Sequence, residues 1–161
     1  MSPVLTPPPT TVETAPSRTA TRRVLIVVDD SCTAPTVCAS VRSFAAGEPL
    51  DAFVVAPQHG AVDAQWYVDE DAARAEATHR LRTCLRCLAS DGIRVRGHLG
   101  DADPVQAIAD ALHAFDADEI LLVTAPTQPS PWLRPSVIER VRRTFARPVR
   151  HVEMPRGDER R

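Results

Sequence analysis

The residues best placed to bind a ligand follow the apolar run ILLV at positions 120–123, in the segment TAPTQPSPWLRPS from Thr124 to Ser136. A continuous apolar run of this kind predicts a buried parallel strand, and open α/β sheets bind their ligands where such strands end. Phosphate-binding loops hold the ligand with consecutive backbone N–H groups, and glycine lets the backbone approach it closely. This segment has four prolines and no glycine, and each proline removes one N–H donor. The sequence therefore predicts a loop at the place of a binding site that holds phosphate weakly.

Cys84 and Cys87 have the C-x-x-C spacing of redox and zinc sites. Active redox pairs begin a helix, where the helix dipole lowers the pKa of a thiol, whereas this pair falls late in a predicted helix. Its position favours two small buried hydrophobic residues over a redox centre. The spacing of Cys32 and Cys38 is not that of zinc ligands, so no metal site is predicted. We expect all four cysteines to be reduced thiols.

The sequence predicts no catalytic residue. None of the five histidines has a second histidine four residues later or a plausible serine nucleophile beside it. Asp29 and Asp30 could serve acid–base or metal chemistry, but two aspartates at the end of a strand are more typical of a turn that leads into a helix cap. The arginines of the last predicted helix favour a solvated face, with an acidic partner or RNA as the alternative. They are Arg140, Arg142, Arg143 and Arg147.

The chain has 161 residues, which suits one domain, and a formal net charge of −2. This charge provides no basic field for nucleic acid, and no apolar stretch approaches the roughly 20 residues of a membrane span. All 19 basic residues are arginine, which excludes a lysine nucleophile, a Schiff base and a P-loop lysine. The first 21 residues lack the apolar region of a signal peptide. We therefore expect a cytoplasmic protein without a membrane or nucleic-acid partner.

A single folded domain is predicted at residues 22–155, between two polar tails. Residues 1–21 consist mostly of threonine and proline and have little apolar surface to bury, so they are predicted to be disordered. A docking peptide is the alternative for this segment. Residues 156–161 form a short charged tail.

Strand and helix signals alternate through the domain. Apolar or alternating runs predict strands at 24–28, 52–56, 93–96, 120–123 and 149–154. Helix-start signals, which are prolines or acidic residues, occur at Pro35, 69–71, Asp103–Pro104 and Pro135. Five strands that alternate with four helices predict a doubly wound, Rossmann-like α/β fold with a parallel sheet and right-handed crossovers.

Over about residues 22–154 the chain resembles the universal stress protein family. The resemblance rests on four stretches that occur in the family's order and spacing, at Val28–Ser31, Gly100–Pro104, Ala117–Val123 and Pro135–Val149. It implies the strand order 3-2-1-4-5 for the five strands. It also implies an adenine nucleotide site, which some members have and others lack.

The nucleotide-binding members carry a G-x-x-G pair after the fourth strand and, about ten residues later, a glycine followed by serine or threonine. The pair maps onto Thr124 and Thr127 and the later glycine onto Pro135, so only Ser136 still matches. No glycine occurs between positions 100 and 157, so no realignment restores the motif. The cofactor-binding candidates that the resemblance implies, for a site that does bind nucleotide, are Asp29, Ser31, Val55, Thr124, Thr127 and Ser136.

Two functions remain open at this point. The first is a non-enzymatic stress-response or regulatory protein with little or no ATP binding and no cofactor, which acts through a protein partner that the sequence does not identify. The second is a module that binds an adenine nucleotide, ATP or AMP, with weak or no hydrolysis. The proline-rich loop favours the first, because losing several charge-assisted hydrogen bonds of about 1.5–3 kcal/mol each weakens binding by orders of magnitude.

A homodimer is implied by the resemblance, since members of this family often pair through the final strand. Pairing through residues 149–154 uses backbone groups and is compatible with their polar sequence, VRHVEM, although a polar edge is also a means of preventing association. Glu153 of one protomer is expected to lie near Arg150 of the other and to help set the register. Since such an ion pair is exposed, high salt is expected to weaken the dimer.

Overall fold

The computed structural model describes residues 21–29, 32–58, 70–125 and 132–153. Its elements in chain order are β1 (Arg22–Val28), α1 (Ala34–Ala45), β2 (Leu50–Pro57), α2 (Glu70–Ser90), β3 (Arg94–Gly100), α3 (Pro104–Ala114), β4 (Glu119–Thr124), α4 (Pro135–Thr144) and β5 (Val149–Glu153). The predicted tails, apart from Thr21, and the candidate site residues Ser31 and Thr127 lie outside the described residues. Within the described part of the chain, no helix combines the length and apolar character that a membrane span requires.

The five strands form one parallel sheet in the order β3-β2-β1-β4-β5. The predicted doubly wound fold and its strand order are thereby confirmed. Helices α1 and α2 cover one face of the sheet, and α3 and α4 cover the other. The strand order reverses between β1 and β4, and this switch point is where ligands of open α/β sheets bind.

Alternate residues of β1 face the two helical layers. Val24 and Ile26 pack in the layer of α1 and α2, whereas Leu25 and Val27 pack in the layer of α3 and α4. All four side chains are fully buried. Because helices cover both faces, a central strand is apolar at every position rather than at alternate ones, and this is why its sequence could predict it.

Four strands extend beyond the predicted runs, and β4 does so by only one residue at each end. β1 begins at Arg22, β2 spans eight residues and β3 spans seven. The additional residues pair in register with a neighbouring strand, as Arg22 does with Leu50 and Pro57 does with Gly100. Arginine, proline and glycine carry no strand signal of their own, so hydrogen bonding to a formed neighbour determines these ends.

Local sequence sets the predicted helix start at α3 and the stop after α2. The Asp103 carboxylate accepts a hydrogen bond from the Val105 backbone N–H at 3.0 Å, and Pro104 begins the helix, as the cap and the proline predict. Gly92 follows α2 with a φ of +79°, a left-handed conformation that glycine adopts without strain.

Helices α1 and α2 are joined at two successive turns. A disulfide links Cys38 of α1 to Cys87 of α2. One turn further along, the Arg42 guanidinium binds the Asp91 carboxylate in a forked arrangement with N–O distances of 2.9 to 3.1 Å. The expectation of four reduced thiols is therefore wrong for one pair, because helix packing brings together two cysteines that are distant in sequence. The other two cysteines are buried thiols.

Candidate functional site

A cavity of about 360 Å³ lies between α1, α2 and the carboxyl ends of β1 and β2. Most of its wall is apolar and includes Val28, Val37, Val54, Ala56, Ala77 and Leu81. Polar groups from the same two helices also line it, at Thr33, His79, Arg80 and Thr83. A concave apolar chamber with a few polar groups is the usual form of a small-molecule site.

Asp29 lines this cavity, although the residue is only 1% exposed. Its backbone N–H donates to the Val123 carbonyl at 3.1 Å, and its carbonyl accepts from the Cys32 N–H at 3.1 Å. The Cys32 thiol in turn donates to the Val123 carbonyl, with a sulfur–oxygen distance of 3.5 Å. Asp29 and Cys32 are thus both tied to β4 at the switch point.

Thr124 ends β4 on the side of the sheet that faces α4, and its hydroxyl lies 2.7 Å from Nε2 of His151 on β5. The threonine is 8% exposed and has strand conformation. Burial lowers the pKa of His151; Arg142 lowers it further, and Glu153 opposes the shift. At the position that corresponds to the first glycine of the family's nucleotide loop, this chain therefore has a side chain whose hydroxyl is already engaged.

Ser136 is exposed in the first turn of α4. A helix start binds anions through N–H groups that have no partner inside the helix. Here Pro135 has no N–H, and the N–H of Val137 donates to the Arg134 carbonyl at 2.9 Å. The start of α4 therefore offers fewer donors than a helix with an ordinary first turn.

Val55 is fully buried in the layer of α3 and α4, opposite the layer that holds the cavity. It packs close to Gly100, where an added Cβ would lie 2.7 Å from the Val55 side chain. Its neighbours Val54 and Ala56 line the cavity instead. Side chains alternate along a strand, so Val55 presents its backbone rather than its side chain toward that end of the sheet.

The described candidate residues therefore occupy three places rather than one. Asp29 lines the cavity, Val55 and Thr124 face the opposite layer, and Ser136 lies on the surface of α4. The sequence analysis did not predict the contribution of α2 to the cavity wall, which includes Ala77, Leu81 and Cys84. It also missed His151 as the partner of Thr124, because that pairing depends on the register of β4 and β5.

Cys84 lies on the cavity wall, and burial raises the pKa of its thiol to about 11. The thiol is protonated at neutral pH, and a protonated thiol is neither a nucleophile nor a good metal ligand. Among the residues that the structure describes, no group of three or more histidine, cysteine or acidic side chains is arranged to hold a metal ion.

Three of the four arginines in α4 and the segment after it pair with acidic side chains of the same chain. Arg140 binds Asp103 at 2.6 Å, and Arg142 lies 3.6 Å from Glu139, within its own helix. Arg147 binds the Asp116 carboxylate at 3.2 Å. These pairs agree with the predicted solvated face and leave less positive charge for an acidic partner than the sequence alone suggests.

Solved structures with a similar fold include universal stress proteins. A universal stress protein from Archaeoglobus fulgidus is 22% identical, over 83% of this chain and 98% of its own, with a TM-score of 0.55. A structure from that organism in complex with dAMP is 21% identical over the same shares of the two chains, with a TM-score of 0.53. A family protein from Burkholderia pseudomallei is 21% identical, over 81% of this chain and 94% of its own, with a TM-score of 0.59.

No protein-family model matches the chain, and a search of curated proteins finds no match. The structural similarities concern the fold, which this chain shares with universal stress proteins over most of its length. The resemblance predicted from the sequence is confirmed at this level.

Proposed function

We propose that the chain is a universal stress protein-like regulatory protein of the cytoplasm, without enzymatic activity, which binds ATP weakly or not at all. One observation carries the proposal. The Thr124 hydroxyl, at the head of the proline-rich loop, is bonded to His151 Nε2 at 2.7 Å. A binding loop that used this position for close backbone approach would need it free of a side chain.

Two further features point the same way. The loop sequence from Thr124 to Ser136 contains no glycine and removes an N–H donor at each of its prolines. The first turn of α4 begins with Pro135 and uses the Val137 N–H internally. Each feature weakens triphosphate capture, and the effects act on the same part of a nucleotide.

The alternative function is an adenine-nucleotide binding module. It is favoured by the cavity beside Asp29, which is large enough for a base, and by the existence of a dAMP complex of a protein with a similar fold. In this case the base and sugar would supply most of the binding free energy, since the loop supplies little to the phosphates. AMP would then bind about as well as ATP.

Calorimetric titration with ATP and magnesium, beside a thermal shift measurement, tests the proposal. We expect no saturable binding at micromolar concentrations. A dissociation constant below about 10 μM, which corresponds to about −7 kcal/mol, would contradict it. Phosphate release from ATP above the protein-free rate would contradict the non-enzymatic part.

A titration with AMP separates the two functions. If AMP binds with a similar or higher affinity than ATP, the alternative is correct and the phosphates beyond the first contribute nothing. The matched control is Ala77→Leu, which places a larger side chain in the cavity wall. Loss of AMP binding in this variant would locate the nucleotide in the cavity, whereas unchanged binding would place it elsewhere.

A further inference from the structure

We propose that Cys38 and Cys87 form a redox-controlled cross-link that fixes α1 against α2 when a small-molecule disulfide oxidant is present. The two sulfur atoms are joined in the structure, and their Cα atoms are 6.3 Å apart. Disulfides span Cα separations of 4.4–6.8 Å, and this pair lies within that range.

The geometry also separates this pair from the C-x-x-C pair in the sequence. Cys84 and Cys87 lie on consecutive turns of one helix, so a bond between them would constrain no other element. A bond from Cys87 to Cys38 connects two helices and closes a loop across a sequence separation of 49 residues. Closing a long loop removes conformational freedom from the unfolded chain, which is how a disulfide stabilises a fold.

The exposure of the two cysteines indicates which of them reacts first with the oxidant. Cys87 is partly exposed, whereas Cys38 is 1% exposed. The Cys87 thiolate attacks the oxidant RSSR, forms a mixed disulfide and releases one thiol RSH. The Cys38 thiol then attacks the Cys87 sulfur and releases the second RSH, so that two protein thiols lose two electrons and two protons to the oxidant. In a reducing compartment the same exchange runs in reverse, as is typical of redox-sensing disulfides there.

The cross-link adjoins the wall of the cavity. Val37, next to Cys38, and Cys84, one turn before Cys87, both line it. The forked Arg42–Asp91 pair holds the next turn of the same two helices. Oxidation would therefore hold α1 and α2 in one arrangement beside the cavity. After reduction, that arrangement would depend on helix packing and on the exposed Arg42–Asp91 ion pair.

Mass spectrometry of the whole protein, after incubation with oxidised or reduced glutathione and alkylation, tests where the bond forms. Trypsin cleaves after Arg86 and so separates Cys84 from Cys87, while Cys32 and Cys38 remain on one peptide and are distinguished by fragmentation. We expect a cross-link between Cys38 and Cys87 in the oxidised sample alone. A bond from Cys87 to Cys84, bonds only between separate chains, or four alkylated thiols after oxidation would each overturn the proposal.

Thermal unfolding of the same samples tests whether the bond fixes the helices. Oxidation should raise the midpoint by several degrees in the wild type and in the control Cys84→Ser, but not in Cys87→Ser. If the Cys38–Cys87 bond forms but leaves the thermal midpoint of the wild type unchanged, the bond does not fix α1 against α2. Should Cys87→Ser fail to fold, the oxidised and reduced wild type still decide the matter.

Discussion

The Thr124 hydroxyl and Nε2 of His151 lie 2.7 Å apart and join the end of β4 to the middle of β5. The pairing is diagonal, since Thr124 is in register with Glu153 and His151 with Leu122. This side-chain hydrogen bond lies at the carboxyl end of β4, immediately before the proline-rich loop. The hydrogen-bonded pair thus lies at the place where a nucleotide-binding loop would begin.

Removing either partner of this hydrogen bond should lower the free energy of unfolding modestly. Part of that loss should be common to the two single variants. His151→Ala leaves the poorly exposed Thr124 hydroxyl without that partner, which costs about 1–3 kcal/mol. Thr124→Val removes the hydroxyl at nearly constant volume and should cost about 1 kcal/mol. Urea unfolding of both variants and of the double variant gives the coupling, expected near 1 kcal/mol. Strictly additive effects would show that the bond contributes nothing in solution.

The stability of the protein should fall in mild acid partly through His151. Burial lowers the pKa of this imidazole in the folded state below the ordinary 6.5, so the unfolded chain binds the proton more readily. The contribution of the neutral ring is complete above pH 6.5 and is lost as the pH falls through the folded-state pKa. His151→Gln keeps a polar side chain but cannot titrate. Thermal midpoints measured between pH 7.5 and pH 5 should therefore fall less steeply in this variant than in the wild type, and equal slopes would contradict the shift.

Filling the cavity should be tolerated, whereas filling the opposite layer should not. Ala77→Leu extends a side chain into the cavity, so its free energy of unfolding should stay within about 1 kcal/mol of the wild type or rise. Ala107→Leu is the matched control. Ala107 is fully buried on α3 and faces Gly100, where an added Cβ would lie 2.7 Å away, so overpacking should cost about 1–3 kcal/mol. Equal losses in urea unfolding would mean that the cavity has no room for the larger side chain.

Deleting residues 1–20 should leave the folded domain unchanged. Their threonine and proline composition offers little apolar surface to bury. The thermal midpoint of the shortened chain should match that of the full chain within about 1 °C, since a contribution of 1 kcal/mol would shift it by about 4 °C or less. A drop of several degrees would show that the segment docks on the domain.

The sequence predicted those features of the fold that depend on local or periodic patterns of residues. The buried strands follow from apolar runs such as Val24–Val28, and the start of α3 follows from Asp103 and Pro104. The Cys38–Cys87 link and the Thr124–His151 bond were not predictable. Both depend on how two distant elements align, and a shift of one residue in a strand would place the side chain on the other face.

The structure does not favour the predicted contact between Arg150 of one protomer and Glu153 of the other. The Arg150 guanidinium lies over the Phe44 ring of α1, 5.5 Å from its centre. Glu153, three residues further along the strand, lies on the other face, where its charge raises the pKa of His151. Residues directly opposed across a two-fold strand pair share a face, so pairing through β5 would not place these two side chains opposite each other. The expected sensitivity of the dimer to high salt stays a prediction for measurement.

A homodimer through β5 remains an expectation, now with a defined register. The Ile120 N–H donates to the Pro148 carbonyl at 2.9 Å, so alternation along the strand turns the backbone groups of Val149, His151 and Glu153 toward the open edge. A two-fold axis at His151 would pair Val149 with Glu153 of the partner subunit through backbone hydrogen bonds. The edge is short, which limits the strength of such a dimer.

Glu153→Pro should dissociate the dimer because proline removes an edge-facing N–H. Glu153→Ala is the matched control, since it removes the same charge but keeps that N–H, and it should leave the dimer intact. Light scattering over a dilution series from tens of micromolar, at low and high salt, gives the mass of each variant. A wild type that stays monomeric at tens of micromolar would rule out the dimer, and dissociation of both variants alike would show that the carboxylate, rather than the backbone, holds the two protomers together.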